Sequence, residues 1–151
     1  DAPQAYTQSE VGKGFTDLAQ TWVTLPREEW PKEWVEGDVQ DPVVPLELAL
    51  YGHPLSGTFW ENHYSEKCVQ AGWEPVLGWE CLYFHRALKL VLSVYVDDFK
   101  MSGHTRSLAA GWKSLTDAGL ILDPPEPLGL YLGCAQHNIS MNQKEAEKGA
   151  G

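Results

Sequence analysis

The chain has 151 residues, 43% of them hydrophobic, with seven Trp, six Tyr and four Phe, which is enough apolar material for one core of ordinary size. A formal charge of −10 excludes a generally basic surface of the kind that holds nucleic acid by releasing counterions from phosphate. The longest apolar candidate, Leu88 to Val96, is broken by Lys89 and Ser93 and stopped by two aspartates, which excludes a membrane span there.

Much of the acid is local. Glu28, Glu29, Glu33 and Glu36 crowd a Trp- and Pro-containing stretch, and Asp38 and Asp41 follow in a loop, so any basic face is left to other segments. The first residue is Asp rather than Met, with no cationic, apolar and small-residue leader behind it, and the start reads as a cut edge.

In chain order, Asp1 to Thr7 reads as a strand end turning into a helical or loop segment, with Pro3 where a first helical turn tolerates a missing N–H. Gly12 and Gly14 loosen the chain before a short strand over Thr21 to Leu25. Pro26 to Pro45 is a loop broken by Pro and Gly, with a short helix around Glu28 to Trp34. Val43 to Leu50 leads into a helix that begins near Ser56, carries Trp60, Tyr64, Cys68 and Ala71 at helical spacing and stops at Gly72.

Two strands follow, Glu80 to His85 and Leu88 to Val96, the second with the highest β-branched and aromatic content. Asp97 and Asp98 fall at its end, and Phe99 to Ser102 returns to complete a hairpin. Thr105 to Ala118, closed by Gly119, puts Leu108, Trp112 and Leu115 on one helical face. Leu120 to Asp123 and Leu128 to Cys134 read as two more strands around a Pro-Pro-Glu-Pro loop. Residues 136–151 read as a polar, flexible tail to a single unit over 1–135. Strands and helices in this order predict an α+β domain with helices on one face of an antiparallel sheet.

Cys68, Cys81 and Cys134 make an odd count without a C-x-x-C pair, which argues against a disulfide framework and fits reduced thiols. His63, Cys68, Cys81 and His85 form a loose series that supplies four zinc-type ligands on paper. Each falls where an apolar helix or strand position is expected, and core packing is the simpler account.

Two adjacent aspartates at the tip of a hydrophobic strand repel unless a cation or solvent offsets them. Mg²⁺ suits such carboxylate oxygens, leaves room for water and phosphate, and is completed by a carboxylate from a distant segment, for which Asp1 is the candidate. Asp is also an ordinary turn residue, and a Tyr-x-Asp-Asp string arises by chance in roughly one or two chains per hundred.

The pair does not stand alone. Asp1-Ala2-Pro3-Gln4-Ala5-Tyr6, Thr21-Trp22-Val23-Thr24-Leu25-Pro26, Leu50-Tyr51-Gly52 with Trp60, Tyr95-Val96-Asp97-Asp98, and Leu128-Gly129 with Tyr131-Leu132-Gly133 occur in one order. Over about 130 residues this set resembles the palm of the copia-type retrotransposon reverse transcriptases. The resemblance implies a polymerase palm-like antiparallel sheet, here incomplete at its N-terminal edge. It also implies RNA-directed DNA polymerisation by two-metal nucleotidyl transfer from a deoxynucleoside triphosphate to a primer 3′-hydroxyl.

Carried onto this chain, the resemblance makes Asp1 and Asp97 the ligands bridging two Mg²⁺ ions (Mn²⁺ serving in their place), with Asp98 as a supporting carboxylate and Ala2 lending a carbonyl. Tyr95 and Val96 border the nucleotide. Tyr6 would pack under the incoming sugar and disfavour a ribose 2′-hydroxyl, though such a ring also suits core packing. The implied partners are an RNA or DNA template with its primer, the triphosphate, and the fingers, thumb, RNase H and integrase parts of a polyprotein. The implied setting is an intracellular, cytoplasmic particle with a nuclear phase.

The sequence departs from the family's pattern at Leu55, where the family has a Gln that meets the nucleotide, and at Gly57, where Pro is common. Ser114 to Asn142 holds no Lys or Arg, which leaves protonation of the leaving pyrophosphate to His137 or to no residue. With the strand before Asp1 and the basic fingers outside the chain, the isolated 151 residues are expected not to polymerise. Two other classes fit parts of the pattern: another palm-type nucleotidyl transferase or cyclase, and an inactive retroelement relic that acts as a structural or binding module.

Overall fold

The computed structural model describes residues 1–12, 14–37, 39–127 and 129–137. Asp38, Leu128 and residues 138–151 of the expected tail lie outside them. Within them the chain is mixed α+β, with antiparallel sheets and three α-helices. No helix among the described residues is long and apolar enough to cross a membrane.

The principal sheet has four antiparallel strands in chain order: β3 (Glu74–Pro75), β4 (Leu82–His85), β5 (Leu90–Tyr95) and β6 (Asp98–Gly103). Alternation along β5 sends Leu90, Leu92 and Val94 into the core, while Val91 and Tyr95 point to the exposed face. Helix α2 (Ser56–Gln70) and helix α3 (Thr105–Asp117) share one hydrophobic cluster with those three residues, so both cover the same face of the sheet. The expected helical stripes hold: Trp60, Tyr64 and Cys68 of α2 and Leu115 of α3 are buried, with Leu108 and Trp112 packed beside them.

Both helices end as their glycines predict. After α2, Gly72 is left-handed (φ +86°), its N–H reaches the Val69 carbonyl and the Trp73 N–H reaches Cys68. Gly119 (φ +99°) does the same after α3, with bonds from Gly119 to Thr116 and from Leu120 to Leu115. These are Schellman motifs, and each places an apolar residue, Trp73 or Leu120, back into the core.

Three expectations need correction. Val43–Pro45 is strand β2, paired with β1 (Trp22–Thr24) as a separate ribbon, and not the approach to a helix. Helix α1 (Lys32–Glu36) and a 3-10 turn over Arg27–Glu29 fill the loop between them. Pro45 lacks a ladder N–H, but a two-stranded ribbon is all edge and tolerates that.

Leu120 to Asp123 is not in a ladder. The Gln8 side-chain amide donates to the Ile121 carbonyl at 3.0 Å and accepts from the Ile121 N–H at 3.1 Å, doing for that residue what a neighbouring strand would do. The strand expected over Leu128 to Cys134 instead reverses on itself. Strands β7 (Leu130–Tyr131) and β8 (Cys134–Ala135) form a hairpin whose turn, Leu132 and Gly133, has positive φ at both positions, the type I′ geometry.

Gly103, at the end of β6, sits at φ +150°, and a Cβ there would lie 2.8 Å from the Lys89 carbonyl oxygen and 2.5 Å from a Leu90 methyl. Gly103→Ala is expected to cost about 3 kcal/mol, as positive-φ strain adds to overpacking against backbone. Gly57→Ala, in open space on the first turn of α2, should instead be neutral or stabilise by about 0.5 kcal/mol. Urea midpoints of the two variants check this, and equal midpoints would refute it.

Candidate active site

The β5–β6 hairpin turns through two residues, Val96 and Asp97, with Tyr95 and Asp98 paired across it. Only Val96 of these has positive φ (+54°), the pattern of a type II′ turn, in which that position normally belongs to Gly. A β-branched residue held there costs on the order of 1–3 kcal/mol and persists only where the surroundings over-determine it. The surroundings here are two donors from outside the hairpin. The Trp60 indole Nε1–H donates to the Val96 carbonyl at 2.6 Å, and the Ala2 N–H donates to the Asp97 carbonyl at 2.8 Å.

The second bond brings the two ends of the predicted carboxylate set together, because Asp1 adjoins Ala2. Asp1 is further tied to a third segment by the Asp123 N–H, which donates to its carbonyl at 2.8 Å. Ala2 is buried, Asp1 and Asp97 are exposed, and Asp98 is half-buried at the first position of β6. Asp1 and Asp98 line one cavity of about 390 Å³, walled by β6, α3 and residues 122–127 and 129–131. Among the described residues no three His, Cys, Asp or Glu side chains are gathered as a ready metal cage. What the fold joins by backbone bonds is two carboxylate-bearing segments. Their hard oxygen donors suit a Mg²⁺ ion that draws its remaining ligands from water and phosphate.

The other predicted residues fall around this centre. Tyr6, on a 3-10 turn over Ala5–Gln8, is partly buried, and its ring lies 4.5 Å from that of Tyr51, centroid to centroid. The first and third motif blocks therefore meet through Tyr6 and Tyr51 and meet the hairpin through Ala2 and Trp60. Tyr95 is exposed on the open face of the sheet. Leu55 stands just before α2, partly buried, with its N–H donated to His53 Nδ1 at 3.2 Å. The hydrogen bonds place neither Leu55 nor exposed His137 on the carboxylates.

Lys100 was missed. It follows Asp98 by two residues on β6, so it shares that residue's side of the strand, and it lines the cavity with Asp1 and Asp98. Its ammonium lies 4.7 Å from the centre of the Tyr131 ring and donates to Gln136 Oε1 at 2.6 Å. These contacts seat the late Leu-Gly hairpin beside the tip. The signal lay in the strand's period of two, which sets Lys100 on the Asp98 side of β6, whereas the stretch from Ser114 to Asn142 holds no Lys or Arg.

Of the loose zinc-type series, Cys68 is buried in the core, Cys81 Sγ accepts the Tyr64 hydroxyl at 3.2 Å and His85 Nδ1 accepts the Leu88 N–H at 3.3 Å. Burial pushes the Cys68 thiol up to about 12, and burial likewise raises the Tyr83 phenol to about 12 and drives Tyr64 still higher. These groups are neutral packing elements beneath the site. Comparisons with protein-family models, with curated proteins and with solved structures find no match.

Proposed function

We propose that this chain is the palm region of a copia-type reverse transcriptase, in which Asp1 and Asp97 hold two Mg²⁺ ions and Asp98 supports them. The observation that carries the reading is the Ala2 N–H bond to the Asp97 carbonyl, which sets the Asp1 segment against the hairpin tip from the far end of the chain. The further support is convergence. Trp60 reaches the tip from the Leu-Tyr-Gly block, Tyr6 meets Tyr51, and the late hairpin docks on Lys100.

The bound ions would supply charge neutralisation for phosphoryl transfer and acidify the primer hydroxyl. The chain's own residues set the stage for that chemistry. The hairpin tip presents Asp97 to solvent where triphosphate and primer would arrive. Tyr6, backed by Tyr51, limits room at the sugar. Lys100, at the cavity shared with Asp1 and Asp98, is positioned to bind a phosphate of the primer or triphosphate. Leu55 cannot hydrogen-bond a sugar or base, so nucleotide selection in this protein falls on shape more than on polar contacts.

Mn²⁺ titration followed by electron paramagnetic resonance tests the reading on the chain itself. The wild type is expected to bind Mn²⁺, with Mg²⁺ competing, and Asp97→Asn to weaken binding at least about tenfold. Equal binding by both proteins would remove Asp97 from the ligand set and favour the relic.

A further inference from the structure

We propose that Trp60 is a positioning residue that locks the Val96–Asp97 peptide of the turn in its type II′ orientation and thereby aims the aspartate carboxylates. Val96 tolerates positive φ poorly, and the Gly or Asn that hairpins use at such a position is absent. A hairpin tip ordinarily turns its central carbonyls to water. Here both are taken by donors from outside the hairpin, Trp60 on Val96 and Ala2 on Asp97.

The two donors are not equivalent. The Ala2 N–H is backbone and is supplied by almost any residue at that position, whereas the indole N–H belongs to one side chain. That side chain is 1% exposed and packed against three rings: His63 at 5.8 Å, Tyr64 at 5.5 Å and Phe99 at 6.4 Å between centroids. It cannot follow the turn. Flipping the Val96–Asp97 peptide, which would turn this type II′ geometry into type I′ and put Asp97 at positive φ, would swing the carbonyl away and leave a buried N–H without its acceptor. The bond therefore fixes that peptide, and the same peptide carries Asp97.

The bearing on metal binding rests on the polymerase reading above; the conformational role does not. The test is nuclear magnetic resonance on the isotope-labelled chain and on Trp60→Phe, which keeps a buried ring and removes the donor. In the wild type, Val96 but not Asp97 should show the strong intraresidue amide-to-Hα cross-relaxation of a positive-φ residue, with a scalar coupling from the Trp60 indole nitrogen to the Val96 carbonyl carbon. In Trp60→Phe Asp97 should gain that cross-relaxation as the peptide flips, the Val96 and Asp97 resonances should broaden by exchange, and Mn²⁺ affinity should fall about tenfold.

An Asp97 signature unchanged in Trp60→Phe overturns the proposal. So does a wild type without the indole coupling, a result that needs no variant and is untouched by any misfolding of Trp60→Phe. A positive-φ signature gained at Asp97 with Mn²⁺ affinity unchanged, and still sensitive to Asp97→Asn, overturns the link to the carboxylates. If Asp97→Asn binds Mn²⁺ as the wild type does, the polymerase reading falls, and the Val96 and Asp97 cross-relaxation measurements still decide the role of Trp60.

Discussion

Raising the pH from 9 toward 12 is expected to unfold the protein through three buried acids. Cys68, Tyr83 and Tyr64 stay protonated in the fold, because burial penalises their charged forms and, for Tyr64, the hydrogen bond to Cys81 adds to the effect. Cys68 and Tyr83 ionise only near 12, against ordinary values of 9.0 and 10.0. The sign follows directly. Above those ordinary values the unfolded chain has released protons that the fold still holds, so stability is complete below about pH 9 and falls as pH rises. Each group contributes up to about 1.4 kcal/mol per pH unit across its own window. Together they remove several kcal/mol of a stability that for such domains is about 5–15 kcal/mol.

Tyrosinate absorbance and circular dichroism followed together check the expectation. Tyr64 and Tyr83 should ionise only as the fold is lost, in the same cooperative step. Ionisation of Tyr64 and Tyr83 ahead of any loss of structure, with a urea midpoint constant to about pH 11, would show that the aromatic layer under the sheet is wetter than its burial implies.

What was legible in the sequence was local. The stripe of Trp60, Tyr64 and Cys68, the Gly stops and the run before Asp97 each follow from a period or a cap within one segment, and each stands in the structure as read. What was missed depends on a partner elsewhere. Val43–Pro45 is a strand only because Trp22–Thr24 lies beside it, and Leu120 to Asp123 lacks a ladder because a glutamine amide from the other end of the chain takes its place.

The late block failed for a different reason. Leu132 adopts φ +49°, which no propensity assigns to leucine, so a turn was hidden inside an apolar run. The site divides in the same way. Asp97 and Asp98 could be placed at a tip from the hydrophobic run alone. The adjacency of Asp1 came through the family resemblance, and nothing local announced the Trp60 bond.

A series of single amides separates a polymerase from a relic more sharply than any one of them. In a longer polypeptide that carries this chain and extends a primed template, Asp97→Asn and Asp1→Asn are each expected to lose on the order of 10³-fold in extension, since each removes a charge required where the transferring phosphate becomes more negative. Asp98→Asn, a half-buried carboxylate in the supporting place, should lose about tenfold. Asp123 lines the same cavity and bonds Asp1 through its backbone N–H, which an Asn retains, so Asp123→Asn should stay within about twofold of wild type. Asp97 is exposed, and its replacement should shift stability by no more than about 0.5 kcal/mol, so a loss of extension there reports chemistry and not unfolding. The ranking is the test. Losses that track stability, or a loss at Asp123 as large as at Asp97, would mean that these carboxylates hold the fold around the hairpin and do not serve a metal-bound nucleotide.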